Sequence, residues 1–282
     1  MGMTIATNNA ALNAYRNLSN TQNKLNSSLQ KLSSGFRINT AADDAAGLSI
    51  SEGLQSQISG IAQAGRNAQD GISVIQTADG ALSEVTSILH RMRDLAVQGA
   101  NDSNSATSRG AIKTEADDLG KELDRITTNT NFNGINLLQG GSLNFQVGAG
   151  STADNTIAVN LADVATAVGT GATGLSGAAG AGGFDVTTNA TANTTIAAID
   201  TAIDAVSTSR ADLGASVNRF QSAANSLSIA GQNLTAANSQ IKDTDMAAEM
   251  VNFTQSNILS QAGTAMLAQA NQQGQGILKL LQ

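Results

Sequence analysis

"IDTAIDAVSTSRADLGASVNRFQSAANSLSIAGQNLTAANSQI", residues 199–241, decides the fold. Ile199, Ile203, Val206, Arg210, Leu213, Val217, Phe220, Ala224, Leu227, Gly231, Leu234, Asn238 and Ile241 recur at alternating spacings of four and three. A strand would alternate at two. A mean spacing of about 3.5 held over six heptads, with few interruptions, is the pattern of helices packed lengthwise.

Working outward, the same spacing recurs three times. The N-terminal segment reads Ala11, Tyr15, Leu18, Gln22, Leu25, Leu29, Leu32, Phe36. The next reads Leu54, Ile58, Ile61, Gly65, Ala68, Ile72, Ile75, slips at Ala78, and continues as Leu82, Val85, Leu89, Met92, Ala96. A third reads Ile112, Ala116, Leu119, Leu123, Ile126. The slip rotates the buried stripe, so Asp79 is expected to face away from the core. A final helix over residues 246–270 has a looser apolar face and leads to "GILKLLQ", where Ile277, Leu278, Leu280 and Leu281 cluster.

The middle reads differently. "SLNFQVG" and "TIAVNL" alternate, placing Leu143, Phe145, Val147 and Ile157, Val159, Leu161 on single faces, and so read as strands. Gly140-Gly141 suits a tight turn. Residues 162–185 are rich in Ala, Gly and Thr and read as a flexible loop. The fold expected is mainly α: a long antiparallel helical bundle or coiled coil with a small β-hairpin element, its N- and C-terminal helices paired. Three regions follow: terminal helices at 1–43 and 240–282, a bundle with the β element at 44–161 and 186–239, and the loop at 162–185.

Composition narrows the chemistry. In 282 residues there is no Pro, Cys or Trp, and 13% are charged where ~25% is usual. Without Pro, long helices run uninterrupted. Without Cys, disulfides, thiolate metal sites and cysteine nucleophiles are excluded. A net charge of −7 argues against nucleic-acid and anionic-membrane partners. The first twenty residues lack a basic stretch followed by an apolar run, so no cleaved secretory signal is expected. No window is apolar enough to span a bilayer.

Motifs for catalysis fail on context. "GTGATG" at 169–174 matches G-x-G-x-x-G but opens no helix, so no nucleotide cofactor is expected. His90 is the sole histidine and completes no metal motif. Asp243, Asp245 and Glu249 suit a helix N-terminus better than a calcium loop. In "LSSGFRINTAADDAAGLSI", residues 32–50, Gly35 ends one helix. Thr40-Ala41-Ala42-Asp43 fits a capping box that starts the next near Thr40. Asp43 and Asp44 point about 100° apart on a helix, so they cap rather than form an acid–base pair. The stretch is a joint, and the chain is expected not to be an enzyme.

One further pattern lies in "HRMRDLAVQ". Ile88, Arg91 and Leu95 form a stripe roughly 90° from the seam. It reads as a second contact surface off the core, with Arg91 as a forked donor and Leu95 as an apolar anchor.

These motifs together resemble bacterial flagellin. The joint, "RNAQDGISVIQTADGALSEV", "HRMRDLAVQGAN" and "NFNGINLLQG" are similar to its N-terminal half. "LGASVNRFQSAANSL", "DTDMAAEMVNFTQSNIL" and "QAGTAMLAQANQQGQGILKLLQ" are similar to its C-terminal half. The resemblance covers about residues 3–160 and 195–282. Gly274 stands where the family often has Pro, and large outer variable domains are absent. The resemblance implies a subunit exported through the flagellar secretion channel and polymerised into the extracellular filament. Its partners would be itself, an export chaperone, the filament cap and hook-associated proteins. Arg91 and Leu95, with Glu115 on the next helix, match family positions bound by a host Toll-like receptor. His90, Met92 and Asp94 depart from the common family spelling there. No cofactor or metal is implied. A hook–filament junction protein shares the terminal helices, but the matches here run through both halves of the bundle. A flagellin with an enzymatic insert would need more than a 24-residue loop. A helical oligomer with an unrelated binding role is the remaining alternative.

Overall fold

The structure, a computed structural model, describes residues 8–168 and 183–280, with side chains through residue 272. The sequence readings at 169–174, through most of the Gly-rich loop, and at Ile277, Leu278, Leu280 and Leu281 therefore lie outside the described residues or side chains. Helices α1 (Asn9–Ser34), α2 (Ala45–Ala100) and α3 (Ala106–Asn129) are followed by strands β1 (Asn131–Phe132), β2 (Ile135–Asn136), β3 (Ser142–Gln146) and β4 (Thr156–Asn160). Helices α4 (Val164–Val168), α5 (Asn189–Lys242) and α6 (Met246–Leu280) complete the described chain. The fold is mainly α, as the periodicity requires, with two small antiparallel sheets, β1–β2 and β3–β4, of which the alternation marked the second.

Packing divides the chain into two compact units, one from Met1–Ile58 with Gln232–Gln282 and one from Ser59–Gly231. The divisions fall inside α2 and α5, because the heptad seams of both helices run on past any turn. The sequence had set the inner limits of the terminal regions at 43 and 240.

In the Ser59–Gly231 unit the expected seams form the core. Ala68, Ile72, Ile75, Ala78, Leu82, Val85, Leu89, Met92 and Ala96 of α2 are buried, with Ile112, Ala116 and Leu123 of α3 and Ile199, Val206, Leu213 and Phe220 of α5. Asp79 stays half-exposed beside this seam, and its carboxylate accepts from Arg210 Nε at 2.8 Å. β3 and β4 pair antiparallel with Leu143 opposite Val159 and Phe145 opposite Ile157. Phe145 meets Phe220 edge-to-face at 5.4 Å between ring centres. Gly71 admits that pair, since a Cβ there would sit 2.9 Å from the Phe220 ring.

Two local readings need correction. Residues 164–168 form α4, and Val164, Val168 and Phe184 are buried core residues. Apolar side chains one turn apart gave both edges of the presumed loop something to bury. The sequence also missed the β1–β2 hairpin, whose Asn133 and Gly134 both have positive φ (50° and 81°). That is the two-residue turn favoured by Asn-Gly. Gly140 and Gly141 also take positive φ, but they lead the chain into β3 rather than joining two paired strands.

Candidate functional site

The joint belongs to the terminal unit and is mechanical. α1 ends at Gly35 in the left-handed conformation, φ 76°. The Arg37 N–H donates to the Lys242 carbonyl at 2.6 Å, and the Thr244 N–H donates to the Gly35 carbonyl at 2.9 Å. The Arg37 guanidinium reaches the Ile241 carbonyl at 2.6 Å. Lys242 Nζ lies 4.8 Å from the Phe36 ring centre. The extended segment after α1 is thus tied to the α5–α6 turn. The next helix does not begin near Thr40. Asp43 closes a single turn, accepting from the backbone of Asn39 and Thr40 and from the Thr40 hydroxyl. Those donors hold its carboxyl below the usual aspartate range, the Thr40 N–H most of all. Asp44 then caps α2, accepting from the Gly47 N–H at 2.9 Å. The two carboxylates serve different backbone groups and share no pocket. Among the described residues no cluster of His, Cys, Asp or Glu could hold a metal.

α1 and α6 pair antiparallel: Asn8 Nδ2 donates to the Ala270 carbonyl, and Ser28 Oγ donates to Glu249 Oε1. Asp245 caps α6 through the Ala247 and Ala248 N–H groups. The face that each helix turns toward its partner mixes small residues with Leu and Phe. On α1 it is Ala11, Ala14, Leu18, Thr21, Leu25, Ser28 and Leu32. On α6 it is Glu249, Phe253, Ser256, Ser260, Gly263, Leu267 and Ala270. Gly263 permits close approach, since a Cβ there would stand 3.2 Å from Leu18 Cδ1.

This corrects the expected α1 seam. Ala11, Leu18, Leu25 and Leu32 are used as read, but Ala14, Thr21 and Ser28 replace Tyr15, Gln22 and Leu29. The bulky alternatives Leu12, Tyr15 and Leu29 are exposed. So are Met246, Met250, Val251, Ile258, Leu259 and Met266 of α6. Met250, Val251, Thr254, Gln255, Ile258 and Leu259 line a shallow apolar groove. The seam thus mixes small residues with Leu and Phe, while many large apolar side chains of the pair stay exposed, the kind of surface that marks an interaction site.

The second candidate surface lies in the Ser59–Gly231 unit. Arg91 donates through Nε and Nη2 to Glu115 Oε1, at 2.9 and 2.5 Å, and both side chains are about half exposed. The structure therefore brings Arg91 and Glu115 together. Ile88 is half-buried against the core. Leu95 does not remain outside: it is 2% exposed and lies within the core. The stripe is thus split: Arg91 stays exposed beside Glu115 of α3, while Leu95, one turn further on, packs into the chain's own core. Leu95 is not available as an exposed anchor. His90 is exposed.

Sequence reasoning missed the ties that hold residues 184–189. Arg109 donates to the Thr187 carbonyl at 2.7 Å and to Asp102 at 2.9 Å. Lys113 donates to the Phe184 carbonyl and Asn189 to the Ala100 carbonyl. No local pattern announces partners this far apart in sequence.

The geometry defines a class before any family: a mainly α-helical chain with an exposed apolar face on its terminal helices and, among the described residues, no group of His, Cys, Asp or Glu that could hold a metal. Comparison with known proteins makes this specific. Residues 5–142 match the bacterial flagellin N-terminal helical region, and residues 196–281 match the C-terminal helical region. A flagellin of Halalkalibacterium halodurans is 46% identical over 280 residues, covering 99% of this chain and 100% of the relative. A flagellin of Bacillus subtilis is 45% identical over 309 residues, with the same coverage. A solved chain described as a flagellar hook-associated protein of Vibrio parahaemolyticus is 16% identical at a TM-score of 0.59, covering 71% of this chain and all of that one. That likeness is one of fold alone. The chain belongs to the bacterial flagellin family.

Proposed function

We propose that this chain builds the bacterial flagellar filament through the outward face of the α1–α6 pair. Family membership makes it a structural subunit of that extracellular appendage, and self-polymerisation and contact with hook-associated proteins are family-level properties. One observation supports the route. The helix pair leaves Leu12, Tyr15, Leu29, Val251, Ile258 and Leu259 in water. Each such side chain gains about 1.5–3 kcal/mol when fully buried, and other copies of the chain supply the cover. Helices α1 and α6 are accordingly weakly held in the lone subunit and fixed on assembly. The same reading has the subunit exported through the flagellar channel, with a chaperone and the filament cap as partners. The test is seeded polymerisation followed by electron microscopy and hydrogen exchange. Deleting residues 274–282 should abolish filaments while leaving the bundle folded. Terminal helices already as protected in the subunit as residues 213–234 would count against it.

A second reading concerns a host Toll-like receptor. The exposed Arg91–Glu115 pair supports it, with Ile88 beside the pair, and Leu95 acts only by packing beneath them. Arg91→Ala and Glu115→Ala should weaken receptor signalling by monomers. Undiminished signalling by both variants would end this reading.

A further inference from the structure

The chain has six methionines, of which four have described side chains. Met92 is sealed in the core at 0% exposure. Met246, Met250 and Met266 are 46%, 50% and 65% exposed, all on α6. Between residues 246 and 272 the only ionisable side chain is Glu249, and Ser28 engages it on the seam side. The exposed surface of α6 over this stretch therefore carries no charge; at about 100° per residue Met246 and Met250 lie on one flank of the helix and Met266 on the other, about 160° from Met250. Met250 lines the apolar groove directly, beside Val251 and Ile258.

We propose that Met246, Met250 and Met266 are a peroxide-sensitive modification site that withdraws unassembled subunits from polymerisation. The proposal rests on the filament reading above, in which other copies of the chain cover both exposed flanks of α6. The thioether sulfur attacks one oxygen of hydrogen peroxide and the O–O bond breaks. A sulfur–oxygen bond forms, and the other oxygen leaves as water after taking the transferred proton. Sulfur is oxidised by two electrons and the peroxide is reduced. The product is a strong acceptor on what was an apolar, flexible side chain. In water the sulfoxide is solvated at no cost. Under a second copy it loses that water, and the apolar groove offers few donors in exchange. Oxidation thus leaves the subunit folded and removes the gain from covering these flanks. Once covered, the same sulfurs are shielded, so a finished filament resists what disables a free subunit.

The experiment treats purified subunits with hydrogen peroxide, maps sulfoxides by peptide mass spectrometry, and measures seeded elongation. The three α6 methionines should oxidise at least ten times faster than Met92 in subunits, and at least ten times more slowly in preformed filaments. Oxidised subunits should elongate at least ten times more slowly, and combined methionine sulfoxide reductases A and B should restore the rate. The variant M246L/M250L/M266L should elongate equally before and after peroxide. If this variant is poorly folded, the reductase rescue carries the same inference. Full oxidation of the three residues with unchanged elongation would overturn the proposal while leaving the filament reading intact. Loss of elongation in the triple-leucine variant after peroxide would place the sensitive residue elsewhere and overturn it too. Failure of untreated subunits to elongate would instead overturn the filament reading, and the assembly half of this proposal with it.

Discussion

Asp43 and Asp79 show how one residue type takes different roles from its surroundings. Asp43 receives three hydrogen bonds from Asn39 and Thr40, which stabilise its charged form and lower its pKa. Its folded pKa lies below the unfolded value of ~3.9. Its contribution to the joint is therefore present in full above that value and lost as pH falls through the lower, folded value. NMR titration of the Asp43 carboxyl should give a midpoint below ~3.9, and Thr40→Val should raise it. A midpoint at or above the ordinary aspartate value would remove Asp43 as a clasp of the turn. Asp79 instead pairs with Arg210 at the half-exposed margin of the core. Such pairs contribute about 0–1 kcal/mol. Asp79→Leu should change unfolding free energy far less than the ~2–5 kcal/mol of a core truncation; a core-sized loss in chemical denaturation would mean the seam runs through residue 79. Asp79 was legible because the slip at Ala78 moves it off the stripe. Its partner was not, because Arg210 reads in the sequence as a polar interruption of another seam. Leu95 was misplaced for a related reason: the angle from the seam was right, but no periodicity says which helix will cover that angle.

Helices with one partner face read cleanly, and helices with two did not. Every seam position assigned to α2, α3 and α5 is buried or partly buried. α1 has two stripes sharing Ala11, Leu18, Leu25 and Leu32, one completed by Tyr15, Gln22 and Leu29 and the other by Ala14, Thr21 and Ser28. Hydrophobicity favours the first, yet the chain's own packing uses the second. A stripe reserved for another copy cannot be told from a core stripe by sequence alone. The segment after residue 182 illustrates long-range packing of the same kind. A Cβ on Gly99 would stand 2.6 Å from the Val186 Cβ. Val186 is buried and β-branched, so it cannot swing aside. Around it, Phe184 and Thr187 are held through their carbonyls by Lys113 and Arg109. Gly99→Ala should therefore cost about 1–3 kcal/mol, as overpacking does. Val186→Ala in the same chain should recover part of that loss. Two substitutions that simply add in chemical denaturation would show that the two sites do not touch.

For the whole molecule, stability and assembly draw on different residues, and this separation can be tested. The Ser59–Gly231 unit has a closed core of large side chains, Phe184, Phe220, Leu82, Leu89 and Leu123 among them. The terminal unit buries Ile38 and partly covers Phe253, Leu18, Leu25 and Leu32, but leaves Leu12, Tyr15, Leu29, Val251, Ile258 and Leu259 exposed. Substitutions on the outer face of α6 should then leave the folded subunit nearly unchanged, because exposed positions usually shift stability by under ~0.5 kcal/mol. Asp has a modestly lower helix propensity, which adds a few tenths of a kcal/mol at most per site. The same substitutions bury charge once a second copy covers the face, and an unpaired buried carboxylate is strongly disfavoured. Ile258→Asp with Leu259→Asp places two carboxylates in the groove, on a stretch with no basic side chain between residues 246 and 272. We expect the subunit concentration needed for filament growth to rise by about 10²-fold or more, each tenfold being worth ~1.4 kcal/mol. The melting of the Ser59–Gly231 unit should stay where it is. Light scattering with seeds measures the first quantity, and hydrogen exchange in α3 and the Ser59–Gly231 portion of α5 measures the second. Filaments that grow at the unsubstituted concentration would show that α6 turns some other face to its neighbours, and the exposed apolar side chains of α6 would need a different explanation.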